Sequence, residues 1–180
     1  MPGNRQPILT LLEDYGRRYP GEQDTCRRIV EFVREHEDCF ERTQLLGHIT
    51  GSAWVLDADR KRTLLTHHRK LDRWLQPGGH ADGDHDVAAV ALKEAEEETG
   101  LKDLALERDA IFDIDVHMIP ERGNEPAHYH YDCRFVIIAT GDDAYTISEE
   151  SHDLAWVPLN KIEDYTDEWS VLRMAQKTLA

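Results

Sequence analysis

Within the stretch GHADGDHDVAAVALKEAEEETGL, residues 79–101, three carboxylates stand at Glu94, Glu97 and Glu98. On a helix turning about 100° per residue, positions i, i+3 and i+4 share one face, so these side chains converge. Left alone, like charges at that spacing destabilise a helix by roughly 0.2–0.5 kcal/mol per pair. A hard dication that prefers oxygen ligands, Mg²⁺ or Mn²⁺, reverses the sign. The local sequence supplies the helix that this requires. Asp86 is suited to the N-cap, Gly100 to the stop, and Ala88, Ala91 and Ala95 make one side slim enough to lie close against a sheet.

Two further groups of residues have chemical potential. In HYHYDCRF, period-two alternation places His128, His130, Asp132 and Arg134 on one strand face and Tyr129, Tyr131, Cys133 and Phe135 on the other. Asp113, Asp115 and His117 alternate on the preceding segment. If the registers coincide, a histidine- and aspartate-rich stripe results. It either lines a cavity, where it would meet a phosphate or sugar or hold a transition metal through His128, His130 and Asp132, or faces solvent. His67, His68, Arg69, Lys70 and Arg73 form a basic patch before the Pro-Gly-Gly turn at 77–79, suited to clamping phosphate oxygens or merely to balancing charge. Trp74 and Trp156 read as packing residues.

The elements that position these groups follow from periodicity. Residues 7–19 and 22–40 read as two amphipathic helices broken by Tyr19-Pro20-Gly21, forming a cap, a dimer contact or a lid. From Gly47 onward short β segments take over: residues 49–56 and 63–68, with a charged turn at 57–62, then a helix over 87–99. A hairpin of 111–119 and 127–140 turns around Gly123, Asn124 and Pro126, and a short strand at 154–158 precedes a C-terminal helix over 168–179.

The chain has 180 residues, which suits one catalytic domain with an extension. Asp plus Glu number 36 against 21 Lys plus Arg, a formal net charge of −15, which argues against binding a nucleic-acid polymer through a basic footprint. Cys26, Cys39 and Cys133 show no paired spacing and read as reduced thiols rather than a disulfide or zinc framework. No run is apolar enough for a membrane span and the first residues lack a signal-peptide core, so a cytoplasmic protein with no membrane partner is the expectation.

Residues Gly79 to Leu101 resemble the Nudix box, G-x5-E-x7-R-E-U-x-E-E-x-G-U with U a bulky aliphatic. Gly79 and Gly100 fall on its glycines, Leu101 on its last aliphatic, and Glu94, Glu97 and Glu98 on its late glutamates. Three positions depart: His85 stands for the early glutamate, Lys93 for the arginine and Ala95 for a larger aliphatic. In the family the early glutamate and the arginine brace the catalytic carboxylates. Lysine lacks the planar fork, and Asp84 or Asp86 is the available substitute for the missing carboxylate.

The resemblance implies an α/β/α sandwich with a mixed, largely antiparallel sheet over residues 44–180, preceded by an N-terminal helical extension at 1–43. It also implies a Mg²⁺- or Mn²⁺-dependent hydrolase that cleaves a diphosphate bond in a nucleoside diphosphate linked to another moiety, a small phosphoanhydride. Glu94, Glu97, Glu98 and the carbonyl of Gly78 are the expected metal ligands. Glu94, Glu97, Lys93 and Glu150 (or Glu149) are the catalytic residues, and His67, Arg69, His128, His130 and Arg134 the substrate contacts. A non-hydrolytic nucleotide-binding or regulatory module is the alternative that His85 and Lys93 favour. An isomerase of the isopentenyl diphosphate type would need a cysteine in the site. The downstream proline of ADP-ribose hydrolases and the tyrosine of dinucleoside polyphosphate hydrolases are absent from their family offsets, which leaves the substrate unselected.

Overall fold

The computed structural model describes residues 4–180. Two helices come first, α1 (Gln6–Arg18) and α2 (Gln23–Glu35), joined by a 3-10 turn at Pro20–Glu22. Pro7 sits in the first turn of α1, where a missing N–H costs nothing. Each helix buries one stripe: Ile8, Leu12 and Tyr15 from α1, and Cys26, Ile29, Phe32 and Val33 from α2.

The expected continuation of α2 to Phe40 is not observed, because the chain is drawn into tertiary hydrogen bonds instead. His36 is already extended, the Cys39 carbonyl accepts from Ile49 N at 2.8 Å, and the Phe40 carbonyl accepts from Gly83 N at 3.0 Å. No glycine or proline marks that stop, so the pattern alone overruns it.

The sheet has eight strands: β1 (Gly47–Asp57), β2 (Arg62–His68), β3 (Arg73–Leu75), β4 (Gly78–His80), β5 (Leu104–Leu106), β6 (Asp113–Ile119), β7 (His128–Ala139) and β8 (Ser151–Pro158). At its centre β1 and β7 run parallel, from Gly47 opposite Tyr129 to Asp57 opposite Ala139. The remaining pairings are antiparallel: β2 with β1, β3 and β8, β4 with β1, and β5 and β6 with β7.

The box helix α3 (Val87–Thr99) has the expected bounds. Asp86 caps it by accepting from Ala89 N at 3.0 Å, and Gly100 ends it in the left-handed conformation with φ 66°. α3 lies directly on β1, since a Cβ on Gly51 would come within 2.8 Å of the Val87 carbonyl and 3.2 Å of Ala91 N.

α1, α2 and α3 share one buried cluster with Ile49, Ala53, Val55, Cys133 and Phe135, so the N-terminal pair caps the domain's own sheet. The opposite face packs Trp54, Leu56, Leu65 and Val136 against α4 (Trp169–Leu179) through Val171, Met174 and Ala175. This is an α/β/α sandwich. At the edge where β6 begins, Lys177 of α4 reaches Tyr15 Oη, Glu22 Oε1 and Asp113 Oδ1, each at 2.7 Å. All three cysteines are buried and free. Among the described residues no helix is long and apolar enough to cross a membrane.

Candidate active site

Strand β4 and helix α3 bring the carboxylates together. Glu98 is 6 % exposed and accepts from Gly78 N at 3.0 Å through Oε1. Burial pushes its carboxyl up to about 8; the Gly78 N–H opposes that shift, while Glu94, Glu150 and Glu97 reinforce it. Glu94, half-buried, is also raised, first by burial and then by Glu97, with Glu150 adding to it.

Glu94 lies over Gly79, where a Cβ would stand 2.6 Å from Oε2 and 2.7 Å from Oε1. The glycine is therefore the cradle for this carboxylate. Both carboxyls are raised by burial and by neighbouring carboxylates, and all the donors here are oxygen, the set that a hard dication prefers. The residues fit Mg²⁺ or Mn²⁺.

Glu150 stands on the loop before β8. Arg69 fastens that loop: its backbone N donates to the Glu150 carbonyl at 2.9 Å and its Nη2 to the Ser151 carbonyl at 3.0 Å. The basic patch thus spends much of its hydrogen-bonding capacity on structure. His67 Nε2 lies 3.0 Å from Asp72 Oδ1 with its ring stacked on Trp74 at 5.0 Å, and Arg73 pairs with Glu168.

No brace is built from Asp84 or Asp86. Asp86 is occupied in capping α3, Asp84 Oδ1 accepts from Asp86 N at 3.0 Å, and the His85 ring packs 5.0 Å from Phe40. Lys93 turns instead along its own helix to Glu97, at 3.6 Å. Both ends of that pair are more than half exposed, so it orients Glu97 while adding little stability.

The polar stripe forms in register, with Asp113 opposite Arg134, Asp115 opposite Asp132 and His117 opposite His130. It lies on the sheet face away from α3. Arg134, expected to contact substrate, is only 2 % exposed and fully engaged: Nε donates to Asp132 at 2.8 Å, Nη1 to Asp113 at 3.1 Å, and Nη2 lies 3.6 Å from Asp115. It is a structural cation. Asp132 likewise leaves the expected transition-metal set, since it also accepts from Thr50 and Ser52, both at 2.8 Å.

His128 is buried and His130 half-buried, and their Nε2 atoms face each other at 3.3 Å. They gather around His48, a residue the sequence reading missed. The parallel register that sets His48 beside His130 joins segments remote in the chain, and no local pattern reveals it. Cys133 is buried beside Cys26 and Cys39, its thiol pushed up by burial, so it offers no reactive thiol for isomerase chemistry.

A model of the NUDIX domain matches residues 48–175. No curated protein sequence matches. Among solved structures, a C. elegans Ap4A hydrolase binary complex superposes with a TM-score of 0.57 at 17% identity, over 72% of this chain and 93% of that one. The E. coli dihydroneopterin triphosphate pyrophosphohydrolase gives 0.58 at 15% identity, over 72% and 92%. A MutT protein from Methanosarcina mazei gives 0.55 at 18%, over 75% and 94%. At these identities the neighbours establish the fold, and the match to the NUDIX domain, which spans most of the chain and includes the glutamate helix, establishes that this protein belongs to the Nudix family.

Proposed function

We propose that the chain hydrolyses a diphosphate bond in a nucleoside diphosphate linked to another moiety, using Mg²⁺ or Mn²⁺ held by Glu94, Glu97, Glu98 and the Gly78 carbonyl. The observation that carries this reading is the placement of Glu94 over Gly79 and of Glu98 on the Gly78 N–H, two carboxylates of one helix brought to one short strand, with the charge of Glu150 adding to the rise in both carboxyls. Bound there, the ion supplies charge neutralisation on the phosphoryl oxygens.

The protein's own groups do the rest. Glu150 takes the proton of the attacking water, on a loop that Arg69 holds against the end of β2. Lys93 keeps Glu97 pointed along the helix toward the site. His67, stacked on Trp74, and the remaining N–H groups of Arg69 are the candidates for contact with the substrate's non-reacting half.

The test is a panel of such compounds, with Ap4A and dihydroneopterin triphosphate included, assayed with and without metal. Wild type should turn over at least one member in a metal-dependent way. Glu98→Gln should lower kcat by at least about 100-fold with the fold intact, and Glu150→Gln by a comparable factor as expected for a lost base. Absence of turnover across the panel by folded wild type would favour the binding-module reading, for which the unbraced box, with His85 packed on Phe40, is the supporting observation.

A further inference from the structure

On the sheet face away from α3, four strands bring imidazoles to one point. β1 contributes His48, β4 His80, and β7 His128 and His130, with His117 of β6 at the edge. One nitrogen each from His48, His128 and His130 lies within 4.8 Å of the other two. The His80 ring stands 5.0 Å from those of both His48 and His130.

Packing alone does not account for this group. His48 is 2 % exposed, yet neither of its ring nitrogens has a partner in full hydrogen-bonding geometry, the Gln44 backbone acting only weakly on the ring. A buried polar group left in that state is costly, and here the two bare nitrogens belong to the ring around which the others gather. The His128 and His130 Nε2 atoms face each other at 3.3 Å. Two nitrogens on one tetrahedral zinc, each at about 2.0–2.1 Å from it, stand about 3.3 Å apart.

The outer contacts are those of a ligand set. His128 Nδ1 lies 2.8 Å from the Pro126 carbonyl, which takes the ring proton at that end and leaves the Nε2 lone pair facing the cluster. His117 Nδ1 is held 3.0 Å from Asp115 Oδ2.

We propose that His48, His128 and His130, with His80 beside them, form a second metal site of nitrogen donors that takes a zinc-class transition dication, apart from the carboxylate centre on α3. Donor chemistry separates the two. Imidazole suits zinc and its late first-row neighbours, whereas Mg²⁺ and Mn²⁺ favour the oxygen site. The charged groups that face the cluster are Arg42, ion-paired with Asp82, and Glu125 of the β6–β7 turn; Arg42 disfavours and the two carboxylates favour added positive charge.

The experiment is titration of chelator-treated, full-length protein with Co²⁺, in excess Mg²⁺ to saturate the carboxylates, followed by visible absorption and by competition with Zn²⁺. Wild type and Glu98→Gln should each take up one equivalent with a tetrahedral spectrum that Zn²⁺ displaces. His130→Asn and His128→Gln should weaken that uptake by at least about 100-fold while their circular dichroism stays native. A Zn²⁺-dependent rise in Tm, present in wild type and Glu98→Gln and absent from His128→Gln, gives a second readout. The proposal is overturned if folded wild type takes up no stoichiometric Co²⁺, or if uptake disappears in Glu98→Gln and persists in His130→Asn. Neither outcome depends on finding the hydrolytic substrate.

Discussion

Replacing Gly79 by alanine tests whether the cradle under Glu94 is a catalytic requirement or a packing accident. The new Cβ would fall well inside contact distance of the Glu94 carboxyl carbon, and ordinary contact begins near 3.4 Å, so the carboxylate must move by about 1 Å. The group in the way is the tip of a flexible, half-buried side chain, and Gly79 is not among the glycines held at positive φ, so folding pays little. Reduced freedom of the unfolded chain even returns about 0.4–1 kcal/mol.

Catalysis is less forgiving, because a misplacement approaching 1 Å costs on the order of 100-fold. Gly79→Ala should therefore lower kcat by ~30–100-fold and raise the Mg²⁺ concentration for half-activation, with the unfolding free energy from urea titration within about 1 kcal/mol of wild type. The same substitution in a Glu94→Ala background should cost nothing further, since the displaced group is gone. Unchanged kcat and unchanged Mg²⁺ dependence in a folded Gly79→Ala protein would refute the assignment of Glu94. An additive loss in the double variant would show that the glycine acts through something else.

Two other outcomes are expected. Asp57 accepts from Lys61 N, Arg62 N and Arg62 Nε at 2.8, 3.1 and 2.8 Å; burial raises its carboxyl, but these donors outweigh it and hold the folded value below 3.8. Its stabilisation is complete above 3.8 and is lost as pH falls through the folded value, so Asp57→Asn should cost about 1.5–3 kcal/mol at pH 7 and progressively less below pH ~3.8 by urea titration. Arg134→Met should cost about 3–5 kcal/mol, because Asp132 would keep only Thr50 and Ser52 while Asp113 retains Arg173 and Lys177; the remaining folded enzyme should show an unchanged KM, and a raised KM with intact stability would restore Arg134 to the substrate.

What the sequence makes legible is local. Helix α3 has the bounds that Asp86, the alanine face and Gly100 dictate, and its i, i+4 pair Glu94 and Glu98 reaches β4 because helical geometry puts both on one face. Alternation along β6 and β7 likewise gives the right faces. What escapes is non-local. α2 stops at Glu35 because Cys39 and Phe40 bond to β1 and to the turn before α3, and neither partner is visible from within the helix. The fates of Arg134 and Asp132 depend on hydroxyls and carboxylates from β1 and β6. His48 joins the histidine cluster only because β1 and β7 run parallel, a pairing between segments that share no turn.

The ammonium of Lys177 grips Tyr15 and Glu22 beneath one helical layer and Asp113 at the sheet margin, while its own helix belongs to the other layer. Neither cover can lift without breaking the same knot, so the segments at the two ends of the described chain open together. Native-state hydrogen exchange should report one cooperative unit spanning α1, β6 and α4, even though these segments lie far apart in the order of synthesis.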